Sequence, residues 1–247
     1  PEGCTVFENS CGTAPGCGFY AEGTHVLMLP GPPRECKAMI SSGAVPYLRS
    51  LSDSHICSHN IRIFGMGESA VEDKLKTMMT NLTNPTLAPY AKECEVMLRV
   101  TAKAKTEQKA EEMMNPVIRD VGLVLGDIIY GIDVDSLEER VLSLLIVNGK
   151  TLATAESCTG GLLSKRITDI PGASNVFAGG VCTYSNKSKT DLLGVDSKVI
   201  EEKGAVSREV AEQMAKGARD RFSADFGVGI TGIAGPASDG TDKPVGT

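Results

Sequence analysis

Tryptophan is absent from this 247-residue sequence, aromatic residues make up only 4% of it, and its three histidines (His25, His55, His59) all precede Asn60. So few rings leave no base-stacking platform for single-stranded nucleic acid. No apolar run is long enough to span a bilayer. No basic-then-apolar leader stands at the start, so a cytoplasmic protein is expected. The net charge of −6 removes any general attraction to nucleic acid or an anionic membrane, and neither is expected as a partner. The eight cysteines form no Cys-x-x-Cys pair, and the histidines miss zinc-finger spacing. Reduced thiols are the better reading. His55 and His59 would share a helix face with Cys57 between them, but no metal site is expected there.

What is present alternates between turn-rich and periodic stretches. The first part, to about Asn60, is rich in Gly, Pro and Cys. Its most ordered run is the apolar Thr24–Leu29, followed by a rigid Pro/Gly turn and a predicted helix from Glu35 to Leu51. A second segment, 61–134, reads as a small α+β unit. Strands are expected at Ile61–Phe64, Pro85–Ala91, Val96–Ala102 and Asp127–Tyr130, and helices at Ala70–Leu82 and Thr106–Val121. The third segment, 135–247, opens with Ser136-Leu137-Glu138-Glu139, a capping box before an apolar run that ends at Gly149. Apolar strands at Thr151–Ala155, Val176–Tyr184 and Phe226–Thr231 alternate with helices, one of them capped by Ser207. This pattern predicts an α/β sandwich working at its strand ends.

Three of those strand ends carry polar or Gly-rich turns: 157–161, 184–189 and 231–236. Ser157 sits between a strand and a helix, with Thr159, Gly160 and Gly161 at the helix start. There, a hydroxyl lies beside amides that lack helical partners, the layout of a nucleophile next to an oxyanion hole. A capped helix is the plainer reading of the same residues. Without a histidine after His59, no Ser-His-Asp triad forms in this segment. A lysine with a pKa lowered by burial is an alternative base. Lys189, just beyond Tyr184, is preferred to Lys187 and Lys165. Glu156 and Asp191 as a carboxylate acid/base pair rank lower.

The motifs Ala155–Gly161, Thr183-Tyr184-Ser185-Asn186 with Lys189, Gly204–Ser207, Gly232–Pro236 and Lys243–Thr247 resemble the competence/damage-inducible CinA family. Gly12–Gly16 and Leu29–Glu35 resemble that family's molybdopterin-binding-like domain, and 61–134 its KH-like middle domain. The resemblance implies three parts: a remnant of the first α/β domain at 1–60, the KH-like unit at 61–134, and a C-terminal nicotinamide-nucleotide amidase domain at 135–247. The chain is expected to be a fragment of a longer protein. The implied reaction converts nicotinamide mononucleotide to nicotinic acid mononucleotide and ammonia, without a cofactor, in a homo-oligomer, a dimer. Carried over residue by residue, Ser157 would be the nucleophile, Lys189 the base and Tyr184 a hydroxyl in the same network. Thr159, Gly160, Gly161, Thr183, Thr231, Gly232 and Gly235 would bind substrate. The competing expectation is a non-catalytic nucleotide- or partner-binding protein. Its RNA-clamping version lacks the Gly-x-x-Gly loop in the middle segment.

Overall fold

A computed structural model describes residues 2–92, 94–237 and 240–247. The chain divides into two compact units, Pro1–Ile129 and Tyr130–Thr247.

The first unit begins with an antiparallel meander of β1 (Thr5–Phe7), β2 (Gly16–Ala21) and β3 (Thr24–Met28). Helix α1 (Pro33–Met39) starts on the Pro-rich turn and runs through a wider π turn, Ile40–Ala44, into α2 (Val45–Ser50). Phe7, Met39 and Ala44 form its small buried core. Next come β4 (His55–Phe64), α3 (Glu68–Asn81), β5 (Thr86–Lys92), β6 (Glu95–Ala104), α4 (Glu107–Leu125) and β7 (Ile129–Ile132), which starts at the last residue of this unit. The sheet order is β5-β6-β4-β7. α4 is capped by Thr106, whose hydroxyl accepts from Lys109 N at 3.2 Å. It buries Ala110, Met114, Val117, Val121 and Leu125, the i, i+4, i+7 stripe that packs a helix on a sheet. His55, Cys57 and His59 lie on strand β4, not on a helix, and His59 Nε2 meets Glu111 at 2.8 Å.

In the second unit, α5 (Leu137–Val147) is capped by Ser136, and Glu139 reaches back to the amide of Asp135 at 2.7 Å. There follow β8 (Leu152–Glu156), α6 (Leu162–Thr168), β9 (Phe177–Cys182), α7 (Asn186–Leu193), α8 (Ser197–Lys203), α9 (Arg208–Arg221) and β10 (Phe226–Ile230). The parallel sheet runs β10-β8-β9. Its central strand β8 is buried along its whole length because helices cover both faces. Ala153 and Ala155 pack with Val210, Met214 and Ala218 of α9. On the other face Leu152 packs with Leu142 and Leu145 of α5 and Ile167 of α6.

Two glycines set how closely α9 approaches the sheet. A Cβ at Gly227 would lie 2.0 Å from Ala215 O, and one at Gly229 would lie 2.2 Å from Ala211 O. Any side chain there would push the helix away. The parallel register pairs Ile230 with Glu156 and Glu156 with Cys182. The loops after all three strands therefore leave from one edge of the sheet, the usual place for a site in such folds.

Candidate active site

Ser157 follows β8 directly, its amide bonded to Ile230 O at 3.0 Å and its side chain buried. Lys189 comes from the second turn of α7, a helix started by Ser185, whose hydroxyl accepts from Ser188 N at 3.1 Å. Lys189 is 1% exposed, and its Nζ lies 2.9 Å from Ser157 Oγ. The same nitrogen donates to the carbonyls of Thr183 at 2.8 Å and Tyr184 at 3.2 Å. Burial lowers the Lys189 pKa below the ordinary 10.5, against a smaller opposing effect of the Cys158 and Cys182 sulfurs.

These contacts give the lysine two consistent states. As an ammonium it has three hydrogens for three acceptors. As a neutral amine it keeps two hydrogens for the two carbonyls, and its lone pair falls to Ser157. The hydroxyl then becomes the donor. No carboxylate partners Lys189 among the described residues, so nothing of opposite formal charge holds its proton in place.

Glu156 has a different task from the acid/base role weighed above. It is fully buried. Its Oε2 accepts from Thr159 Oγ1 at 2.7 Å, Gly161 N at 3.2 Å and Leu163 N at 2.9 Å. Its Oε1 accepts from Ser164 N at 2.8 Å and Ser164 Oγ at 2.7 Å. Burial alone would raise its pKa, but the bonds from Thr159, Ser164 and Leu163 outweigh it and the net shift is down. Asp191 sits apart, paired with Lys187 on the exposed side of α7, and Lys165 pairs with Asp169. None of these joins the Ser157–Lys189 pair.

The same carboxylate takes part of the expected oxyanion turn. Gly161 N, Leu163 N and Ser164 N serve Glu156, Leu162 N bonds to Thr159 O at 3.1 Å, and Gly160 N bonds back to Ser157 O at 3.1 Å. The Gly160 and Gly161 amides therefore shape the helix start instead of offering free donors, and of Thr159 it is the hydroxyl that Glu156 takes. Tyr184 is corrected. Its side chain is 77% exposed, and its backbone carbonyl, not its hydroxyl, reaches Lys189. Thr183 is fully buried and touches the lysine through its carbonyl; its Oγ1 has no hydrogen-bond partner among the described residues.

A cavity of about 360 Å³ opens at this point, lined by Ser157, Cys158, Tyr184, Asn186, Lys189, Ala205, Val206, residues 231–235 and Ala237. Of the expected substrate-binding residues, Thr231, Gly232 and Gly235 line it, whereas Thr159, Gly160, Gly161 and Thr183 do not. Ala205 and Val206 were not singled out individually from the sequence, although they lie in the Gly204–Ser207 motif.

The family described as the CinA C-terminal domain matches residues 134–247, and the damage-inducible protein CinA KH domain matches residues 58–131. A CinA-like protein of Kosmotoga olearia is 46% identical over 246 residues, covering 100% of this chain and 60% of that protein. A CinA-like protein of Desulfovibrio desulfuricans is 47% identical over 247 residues, covering 100% of this chain and 58% of its own length. This chain thus spans about 60% of the length of such curated relatives. A solved structure, the competence/damage inducible protein CihA from Agrobacterium tumefaciens, is 46% identical over 44% of this chain and 67% of that one, with a TM-score of 0.43.

Proposed function

The chain belongs to the CinA family, and from that premise we propose that its C-terminal segment is a serine amidohydrolase with lysine as the base. Its proposed substrate is nicotinamide mononucleotide. The observation that carries this reading is the buried lysine nitrogen 2.9 Å from the hydroxyl of Ser157. A lysine kept from water, hydrogen-bonded to a serine and unpaired with a carboxylate is poised to lose its proton and take one from the hydroxyl.

In the proposed reaction, neutral Lys189 takes the Ser157 proton as Oγ attacks the carboxamide carbon. The resulting ammonium returns that proton to the amide nitrogen, the C–N bond breaks and ammonia leaves. Water then attacks the acyl-enzyme ester, giving its proton to Lys189. Lys189 passes the proton to Ser157 Oγ as the ester opens to the free carboxylic acid, which loses its remaining proton to solvent. The developing oxyanion needs N–H donors. The amides right behind the nucleophile, those of Cys158 and Thr159, are the ones that neither Glu156 nor Ser157 O occupies. No step needs a cofactor. The nucleotide would extend from Ser157 into the cavity walls at Ala205, Val206 and residues 231–235.

The test is ammonia release from nicotinamide mononucleotide, with Ser157→Ala as control. Turnover in the parent, its loss in the variant and nucleotide affinity retained within about threefold support the reading. Binding without turnover in the parent would favour a non-catalytic nucleotide-binding protein.

A further inference from the structure

The carbonyls of four successive residues, 203 to 206, are each taken by a side chain. Lys243 Nζ donates to Lys203 O at 3.1 Å and also to Val206 O. Ser207 Oγ donates to Gly204 O at 2.9 Å, and Thr231 Oγ1 to Ala205 O at 2.9 Å. This stretch leaves the end of α8 and turns into α9, and its residues Ala205 and Val206 line the cavity that holds Ser157. Lys243 supplies two of the four bonds. It is half-buried and makes no ion pair among the described residues, so its ammonium is committed to backbone oxygens.

The residues after Lys243 brace a second wall of the same cavity. Ile233 N donates to Thr247 O at 2.9 Å, and Gly246 N to Ile233 O at 2.8 Å. Segment 243–247 therefore fixes 203–206 through one ammonium and residue 233 through a backbone pair. We propose that Lys243 is a positioning residue: its ammonium sets the backbone of residues 203–206 as one wall of the substrate cavity. It acts on fit at a distance from the reacting atoms, and this role rests on the amidase reading of the site. Hydrogen bonds from a charged donor to backbone oxygens are among the stronger ones, so their loss should loosen the wall.

The test compares Lys243→Met, which keeps the stem and removes the donors, with Lys243→Arg, which restores them. For nicotinamide mononucleotide, Lys243→Met should raise KM by about tenfold or more and leave kcat within about twofold. Lys243→Arg should recover most of that loss. In parallel, amide hydrogen exchange at residues 204–207 should quicken in the Met variant, with exchange in β8 unchanged. Parental KM together with parental exchange in Lys243→Met would overturn the proposal. So would a fall in kcat at unchanged KM, which would indicate only loss of folded protein. If the parent itself turned over no substrate, the amidase reading would fail while the exchange experiment still decided whether Lys243 holds the wall.

Discussion

Replacing Lys189 with arginine tests the chemistry most directly. An ordinary lysine in water, with a pKa of about 10.4, is neutral in roughly one molecule in 2,500 at pH 7. Each unit by which burial lowers that value raises the neutral fraction about tenfold, until the group is mostly neutral. The structure supplies the lowering: Lys189 is 1% exposed and makes no ion pair among the described residues. On the amidase reading, kcat/KM should rise tenfold per pH unit on a single ionisation and level off below pH 10.5, the ordinary lysine value. Guanidinium stays charged throughout this range and cannot accept the Ser157 proton. Lys189→Arg should therefore lose about a thousandfold or more of kcat and show no such ionisation. The assay is ammonia release from about pH 6 to about pH 10 in the parent and both Lys189→Arg and Lys189→Met. A Lys189→Arg enzyme with near-parental turnover would refute the lysine-base mechanism. Stability gives a second readout whose sign is fixed. The folded pKa is lowered, so between that value and 10.5 the unfolded chain binds more protons, and parent stability relative to Lys189→Met rises with pH.

Glu156→Gln should destabilise the second unit by about 1–3 kcal/mol in thermal or denaturant unfolding, because a buried carboxylate loses its charge while facing five donors. Its folded pKa lies below 4.5, so this difference should be full above pH 4.5 and shrink as pH falls through the lowered value. Tyr184→Phe should keep kcat within about threefold, because the backbone carbonyl makes the contact with Lys189; a loss of a hundredfold would place the hydroxyl back in the mechanism. Ser185→Ala removes the cap of α7 and should cost about 1 kcal/mol of stability. It should also lower kcat, because the same helix carries the base; unchanged kcat would show that the lysine holds its place without the cap.

Much of the second unit was legible in the sequence because its strands are apolar runs and its helices are amphipathic. β8, β10, α5 and α9 fell where period and caps put them, with Ser136 and Ser207 as N-caps. α7 escaped for a physical reason. Its buried side chains are Lys189 and Leu193, four residues apart, so a lysine stands where the helical period calls for an apolar residue. That exception was the local signal for an unusual lysine. α8 and the strands β1 and β2 are too short, or too rich in glycine and polar residues, to show a period. In the turn after Ser157, the carboxylate that takes the Gly161, Leu163 and Ser164 amides was not legible, because periodicity does not reveal where a carboxylate points. Glu156, the last residue of β8 in the turn that leads to α6, was the available clue, since acidic groups favour helix N-termini.

The glycines of β10 divide that strand into two faces with opposite futures under mutation. Positions 227 and 229 admit no Cβ against the α9 backbone, whereas Phe226 and Val228 are 53% and 37% exposed. In a saturation library, the strand should therefore accept many residues at 226 and 228 and almost none at 227 and 229. Directed evolution of the neighbouring cavity has a corresponding rule. Diversity introduced at the alternate positions can change the surface without moving α9, while a single methyl at either glycine would shift a helix and the loop that follows the strand.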